Sequence, residues 1–144
     1  MLFSVGYQLR TDDSLIDTIL KNKNKIREVY FAWEDFPNGR NTLSNSDLSI
    51  YEAREKQAED FKRLFDAGIG FNLLLNGNCY GKDAQSRAFF CKIGDAADYL
   101  KENYGLSSVT TTSPLIAKFF KQNFPDIEVR ASVNMDISSA VGMD

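Results

Sequence analysis

Histidine is absent from all 144 residues, cysteine occurs only twice and proline three times, and neither sign of charge dominates. The lack of histidine excludes Ser/His and Cys/His catalytic pairs and every His-ligated metal site. Two cysteines are too few for a disulfide scaffold, and Cys79 and Cys91, with eleven residues between them, match no zinc or iron–sulfur spacing. No metal site and no cofactor is predicted. Seventeen basic residues scattered among twenty acidic ones form no stripe that would neutralise phosphates, so nucleic-acid binding is unsupported. No window approaches the ~20 apolar residues of a membrane span, and Met1 to Gly6 carry neither a basic segment nor a long apolar one. The chain reads as soluble, cytoplasmic and free of membranes. Any catalysis must run on carboxylates, Lys, Tyr, Cys or a borrowed group.

What is present is enough apolar material for one domain over 1–144, 43% hydrophobic and 12% aromatic. Short β-type runs alternate with amphipathic segments, the pattern of parallel (β/α) units. Five strands are predicted, Phe3 to Gln8, Glu28 to Trp33, Gly70 to Asn76, Ser107 to Thr112 and Glu128 to Asn134. Four helices fall between them. The first follows Thr11-Asp12-Asp13 and turns Leu15, Ile16, Ile19 and Leu20 inward. The second, about Ile50 to Ala67, aligns Ile50, Ala53, Phe61, Leu64 and Phe65 and stops at Gly68. The third is predicted over Asp95 to Tyr104, stopping at Gly105. The fourth opens on Ser113 as N-cap and Pro114, with Leu115, Ile116, Phe119 and Phe120 inward. Phe36 to Ser49, with Pro37-Asn38-Gly39, reads as a long loop and not a domain linker.

Alternate strand residues point to opposite faces. One set, including Phe3, Val5, Tyr7, Val29, Phe31, Trp33, Phe71, Leu73, Leu75, Val109, Val129 and Val133, suits a face covered by helices. The other, Ser4, Gly6, Gln8, Tyr30, Ala32, Glu34, Asn72, Leu74, Asn76, Ser108, Thr110, Thr112, Arg130, Ser132, Asn134 and Asp136, reads as polar. A doubly wound sheet needs helices on both faces, whereas a (β/α) barrel keeps them outside and lines its lumen with polar groups. The fold class is therefore α/β, with parallel (β/α) units in a partial TIM-type barrel. Eight strands close such a barrel and five are visible, which predicts either the first half of a larger barrel or a half that self-associates into a homodimer through its open edges.

In such barrels the working groups sit at the C-terminal strand ends. Here these are Gln8, Glu34, Asn76, Asn78, Cys79, Thr112, Asn134 and Asp136. Glu34 and Asp136 are the candidate acid/base carboxylates. Glu34 and its neighbour Asp35 equally suit a solvated loop start. Asn76 to Lys82 is the richest loop, with two glycines, a thiol, a phenol and an amine. Cys79 reads as a nucleophile if Lys82 lowers its pKa, and otherwise as an idle thiol. Arg130, on the polar face, admits two roles: an anion anchor, or an ion-pair partner of Glu34 or Asp136. The amides of Asn72, Asn76 and Asn134 serve a polar ligand or satisfy one another. The expected partner is a small polar or peptide substrate.

Four segments carry a resemblance. Ser113-Pro114-Leu115-Ile116, followed by Lys121 to Asn134 with Phe124-Pro125 and Ala131-Ser132-Val133-Asn134, resembles the N-terminal half of the collagenase-like peptidases, peptidase family U32, as do Glu28 to Ala32 and Phe71 to Asn76. The resemblance covers about Ser4 to Asp136 and implies a TIM-type barrel in a family labelled peptidase. It also implies that some relatives support hydroxylation of RNA bases or quinone precursors, in certain cases with an iron–sulfur cluster. This chain departs from the pattern with Thr112 where Asp is common, Asn134 where Gln is common, and no match at Cys79 and Cys91 to the cluster cysteines. The expectation is a half-barrel that is not active alone, or a non-catalytic binding module.

Overall fold

The computed structural model describes residues 1–34, 36–37, 47–77 and 79–135. Asp35, Asn78, Asp136 and most of the predicted 36–49 loop lie outside the described residues. In chain order the elements are β1 (Phe3–Gly6), α1 (Ser14–Lys21), β2 (Ile26–Ala32), α2 (Ile50–Asp66), β3 (Gly70–Leu75), α3 (Arg87–Tyr104), β4 (Leu106–Thr111), α4 (Pro114–Asn123) and β5 (Glu128–Ala131). Short 3-10 turns occupy Lys23–Lys25, Gly81–Gln85 and Val133–Met135. All the strands pair in parallel in the order β1-β2-β3-β4-β5. Right-handed crossovers in that sequential order carry every helix to the same side of the sheet. The result is a parallel α/β partial barrel that is not closed, because β1 and β5 remain the two edges.

Residues of one strand parity form the core under the helices. Val29, Phe31, Phe71, Leu73, Leu75 and Val109 are buried against Ile16 and Ile19 of α1, Phe61 and Leu64 of α2, Ile93 and Leu100 of α3, and Ile116 and Phe120 of α4. Phe61 sits at the centre, its ring 4.8 Å from Phe31, 5.0 Å from both Tyr7 and Phe71, and 5.4 Å from Tyr104. Trp33 lies at the margin of the same cluster, 6.3 Å from Phe31, 6.4 Å from Phe61 and 6.1 Å from Tyr99. At the end of β1 the Tyr7 hydroxyl donates to the buried carboxylate of Asp60 at 3.0 Å. Lys56 reaches that Asp60 at 2.5 Å and Asp13 at 2.6 Å, joining α1 to α2.

The helix ends follow their capping residues. Ser49 and Glu52 form a reciprocal capping box on α2, and Ser113 caps α4 ahead of Pro114. Gly105 closes α3 at φ +63°, a backbone region that disfavours any residue with a Cβ. Several boundaries differ from the sequence reading. Helix α3 begins at Arg87, eight residues before the predicted Asp95, because the Ser86 hydroxyl accepts the Phe89 N–H and Phe89, Ile93, Ala97 and Leu100 then make one continuous buried face. Strand β5 stops at Ala131, so Val133 turns outward and is 94% exposed instead of packing under a helix. Ile50, Phe65 and Leu115, predicted inward, are exposed because they fall on the shoulders of their helices, outside the stripe that meets the sheet. Phe3 is half exposed because no described helix covers the outer side of edge strand β1. Among the described residues, no helix is long and apolar enough to cross a membrane.

The central position of Phe61 gives a first prediction. Phe61→Ala is expected to lower unfolding free energy by roughly 3–5 kcal/mol in a denaturant titration, since four aromatic neighbours cannot collapse onto the space left.

Candidate functional site

The face that carries no helix is the concave one, and it is mostly polar, with Ala32 and Leu74 as buried apolar exceptions. Near the strands' N-terminal ends Glu28 is 2% exposed and acts as a hub. Its carboxylate accepts from Ser4 of β1 at 2.8 Å, from Ser108 of β4 at 3.5 Å and from Arg130 of β5 at 2.5 Å. The other terminal nitrogen of Arg130 donates to Glu128 at 2.7 Å, and Arg27 reaches Glu128 at 3.4 Å. Two strands lie between β2 and β5, a separation of about 14 Å in a flat sheet, so the Glu28–Arg130 contact requires the sheet to curl. Glu28 stands opposite Gly70, where a Cβ would come within 3.3 Å of its own Cβ. Burial opposes the charge on Glu28. The hydrogen bonds from Arg130 and Ser4 and the attraction of Arg130 and Arg27 outweigh burial and hold the carboxyl below the usual glutamate value.

Higher in the lumen, Thr110 donates to Asn72 at 3.0 Å. At the C-terminal strand ends the loops after β3, β4 and β5 enclose a cleft of about 640 Å³. One wall is Gly77, Cys79 and Tyr80, a second is Thr112, Ser113 and Pro114, and a third is Asn134 and Met135. Backbone carbonyls tie these loops together. Thr112 donates through Oγ1 to the Gly77 carbonyl at 2.7 Å, and the Tyr80 hydroxyl donates to the Leu75 carbonyl. The Ser113 N–H donates to Thr111 Oγ1 at 3.0 Å, and the Ser132 N–H to the Thr111 carbonyl at 2.9 Å. Gly77 is required by contact as well, because a Cβ there would lie 2.6 Å from the Pro37 carbonyl oxygen. Burial pushes the Tyr80 phenol up, against weaker opposing hydrogen bonds from Thr112 and Thr111, so it stays protonated and serves the loop. The Cys79 thiol is free and exposed, and its sulfur accepts the Gly81 N–H at 3.3 Å.

Of the residues singled out from sequence, Cys79, Thr112 and Asn134 meet in this cleft. Asn76 stands next to Gly77, and its side-chain oxygen is buried with no hydrogen-bond partner among the described residues. Asn78 and Asp136 lie outside the described residues. Gln8 is exposed beyond β1 and is not part of the lining. Glu34 is paired with Arg54 of α2 at 2.8 Å, an interaction with a helix residue that strand parity does not anticipate. Arg130 also departs from the sequence reading. Its described partners are Glu28 and Glu128 rather than Glu34, because the side chain leans toward the strands' N-terminal ends, away from the loops. Glu28 itself was missed, although its parity with Tyr30 and Ala32 places it on the polar face. Among the described residues no group of three or more His, Cys, Asp or Glu is placed to hold a metal. The thiols do not fit an iron–sulfur cluster either: Cys79 lines the cleft, whereas Cys91 borders a separate groove between α3 and α4 with Phe90 and Phe119.

The class that fold and cleft define is a half-barrel of parallel (β/α) units with a polar concavity. No family model matches the chain, and no curated protein is significantly similar to it. Among solved structures, the U32 peptidase Mk0906 has a similar fold, with a TM-score of 0.67 over 99% of this chain and 13% sequence identity. The matched region is 53% of that protein, so this chain spans about half its length. At that identity the likeness establishes the fold, in agreement with the resemblance seen in the sequence.

Two expectations follow. Gly77→Ala forces the loop away from Pro37 and is expected to cost roughly 1–3 kcal/mol in a thermal or denaturant melt, with the largest amide shifts at Gly77 and Thr112. For Glu28 the folded-state pKa lies below the unfolded value of about 4.3, so its linked stability is fully present above that pH and is lost as pH falls through the folded value. Glu28→Gln is therefore expected to show a shallower acid loss of stability than the parent when denaturant melts are compared between about pH 3 and pH 7.

Proposed function

We propose that this chain is the ligand-binding half of a U32-peptidase-type barrel, taking a short peptide or another small polar molecule in the cleft at the C-terminal ends of β3, β4 and β5, and that it does not turn that ligand over by itself. The observation that carries this reading is the cleft's position and lining. It opens where (β/α) barrels place their sites, and hydroxyl, amide and thiol groups from three successive loops face it. The reading of no turnover is supported by the place of the candidate carboxylate Glu34, which pairs with Arg54 of α2 and does not line the cleft. The peptide as ligand class rests on the likeness to a protein described as a U32 peptidase.

A titration of isotope-labelled protein with short peptides and small polar molecules, followed by amide chemical shifts, tests the reading. Shifts are expected at Gly77, Thr112, Ser113 and Asn134, and Thr112→Val or Asn134→Ala is expected to weaken binding by roughly tenfold, the worth of about one hydrogen bond. A probe set that leaves these amides unmoved overturns binding at the cleft. Hydrolysis of a fluorogenic peptide by the purified chain overturns the absence of turnover.

A second reading, association of two copies through the open edges, is favoured by Leu2 and Phe3, which are 60% and 50% exposed at β1. Parallel sheets ordinarily have both faces covered, and an apolar edge strand invites pairing. Light scattering decides it: a mass twice that of one chain supports association, and a monomer at all concentrations rejects it.

A further inference from the structure

The strand that carries one wall of the cleft has little of its own to hold it. Strand β5 is four residues long, lies at the edge of the sheet and pairs on one side only, with β4. None of its side chains is fully buried: Glu128 and Ala131 are exposed, and Val129 and Arg130 are half-buried. Short edge strands with few buried contacts open locally at low cost. Yet the 3-10 turn that follows β5 supplies Asn134 and Met135 to the cleft.

We propose that Arg130 is a positioning residue for this wall: by holding Glu28 across the curled sheet it sets where β5 lies, and with it the place of Asn134 and Met135 in the cleft. This rests on the reading of the cleft as the working site. The two ends of the device are both on the concave side. At one end the guanidinium bridges Glu28 at 2.5 Å and Glu128 at 2.7 Å. Glu28 is a stable anchor because Ser4 and Ser108, from β1 and β4, hold the same carboxylate. Two residues beyond Arg130, the Ser132 N–H is bonded to the Thr111 carbonyl at 2.9 Å. Ser132 then organises the turn, its hydroxyl accepting the Asn134 N–H at 3.3 Å and its carbonyl the Met135 N–H at 2.9 Å. The charged groups facing Arg130 are thus Glu28 and Glu128, with Arg27 on the far side of Glu128. A forked donor already engaged by two carboxylates has little left for an anionic ligand, which leaves geometry as its role. Partly buried ion pairs are poor sources of net stability and good selectors of one arrangement, the property this placement uses.

The test is amide hydrogen exchange on the ligand-free chain. In the double variant Glu28→Leu with Arg130→Met, which leaves no lone charge of the pair behind, Ser132 and Met135 are expected to exchange roughly tenfold faster while Val109, at the centre of β4, changes by less than about twofold. The charge-swapped pair Glu28→Arg with Arg130→Glu is expected to recover part of the protection. Arg130→Lys keeps the charge but not the fork, and is expected to speed Ser132 and Met135 by roughly threefold, again without moving Val109. Unchanged protection at Ser132 and Met135 in a folded double variant, or in Arg130→Lys should the double variant not fold, overturns the proposal. Equal acceleration at Val109 also overturns it, since that is general destabilisation. Because exchange is read without ligand, a cleft that binds nothing counts against the proposed function alone.

Discussion

Sequential strand order in an all-parallel sheet is the constraint from which most of this molecule follows. With right-handed crossovers it sends every helix to one side, so one sheet face receives the helical layer and the other receives no helix. The two faces then obey different chemistry. Under the helices, packing is dense and aromatic, centred on Phe61. On the concave side few residues besides Ala32 and Leu74 are apolar, and the polar side chains must satisfy each other. Glu28 is the extreme case, a nearly inaccessible carboxylate whose oxygens are matched by two hydroxyls and a guanidinium from three other strands. Such a group is tolerable only when its hydrogen bonds are complete. The bond from Arg130 is possible only because the sheet curls.

The curl has a second effect at the opposite end of the strands. Loops that would diverge from a flat sheet converge, and they fasten to each other mostly through backbone carbonyls: Gly77 to Thr112, Leu75 to Tyr80, Thr111 to Ser132. A cleft walled in this way has its shape set largely by the main chain, with the side chains of Cys79, Ser113 and Asn134 among its lining.

Much of this was legible in the residues. Period-two alternation picked out the residues of β2, β3 and β4 that pack under the helices, because strands in the middle of a sheet have neighbours on both sides that enforce the pattern. At the edges the same alternation failed. Phe3 and Val133 carry apolar side chains into exposure, since burial there depends on a covering layer that strand periodicity cannot report. Helix α3 was read too short although Phe89 and Ile93 continue the stripe of Ala97 and Leu100 and Ser86 caps it, because Gly94 in its middle reads as a break. The rule that places groups at C-terminal strand ends brings Cys79, Thr112 and Asn134 to one cleft. For Arg130 parity gave the polar face and an ion pair but not the partner, and for Glu34 it did not anticipate Arg54, because a long side chain chooses its partner by reach and charge and not by the end of the strand on which its Cα sits. Glu28 was overlooked for a related reason: a glutamate early in a strand looks like a solvated terminus until the sheet is known to curl.

The single tryptophan has a practical consequence. Trp33 is half-buried on the helix side, its indole within 6.1 Å of Tyr99 and 6.4 Å of Phe61, ring centre to ring centre. Neither it nor those neighbours lines the cleft. The chain therefore carries a built-in fluorophore that watches the α2 and α3 packing seam while facing away from the cleft. Its emission reports the integrity of the scaffold, and a spectroscopist wanting a signal from an occupant of the cleft would have to install a second chromophore there, for which the exposed thiol of Cys79 is a ready attachment point.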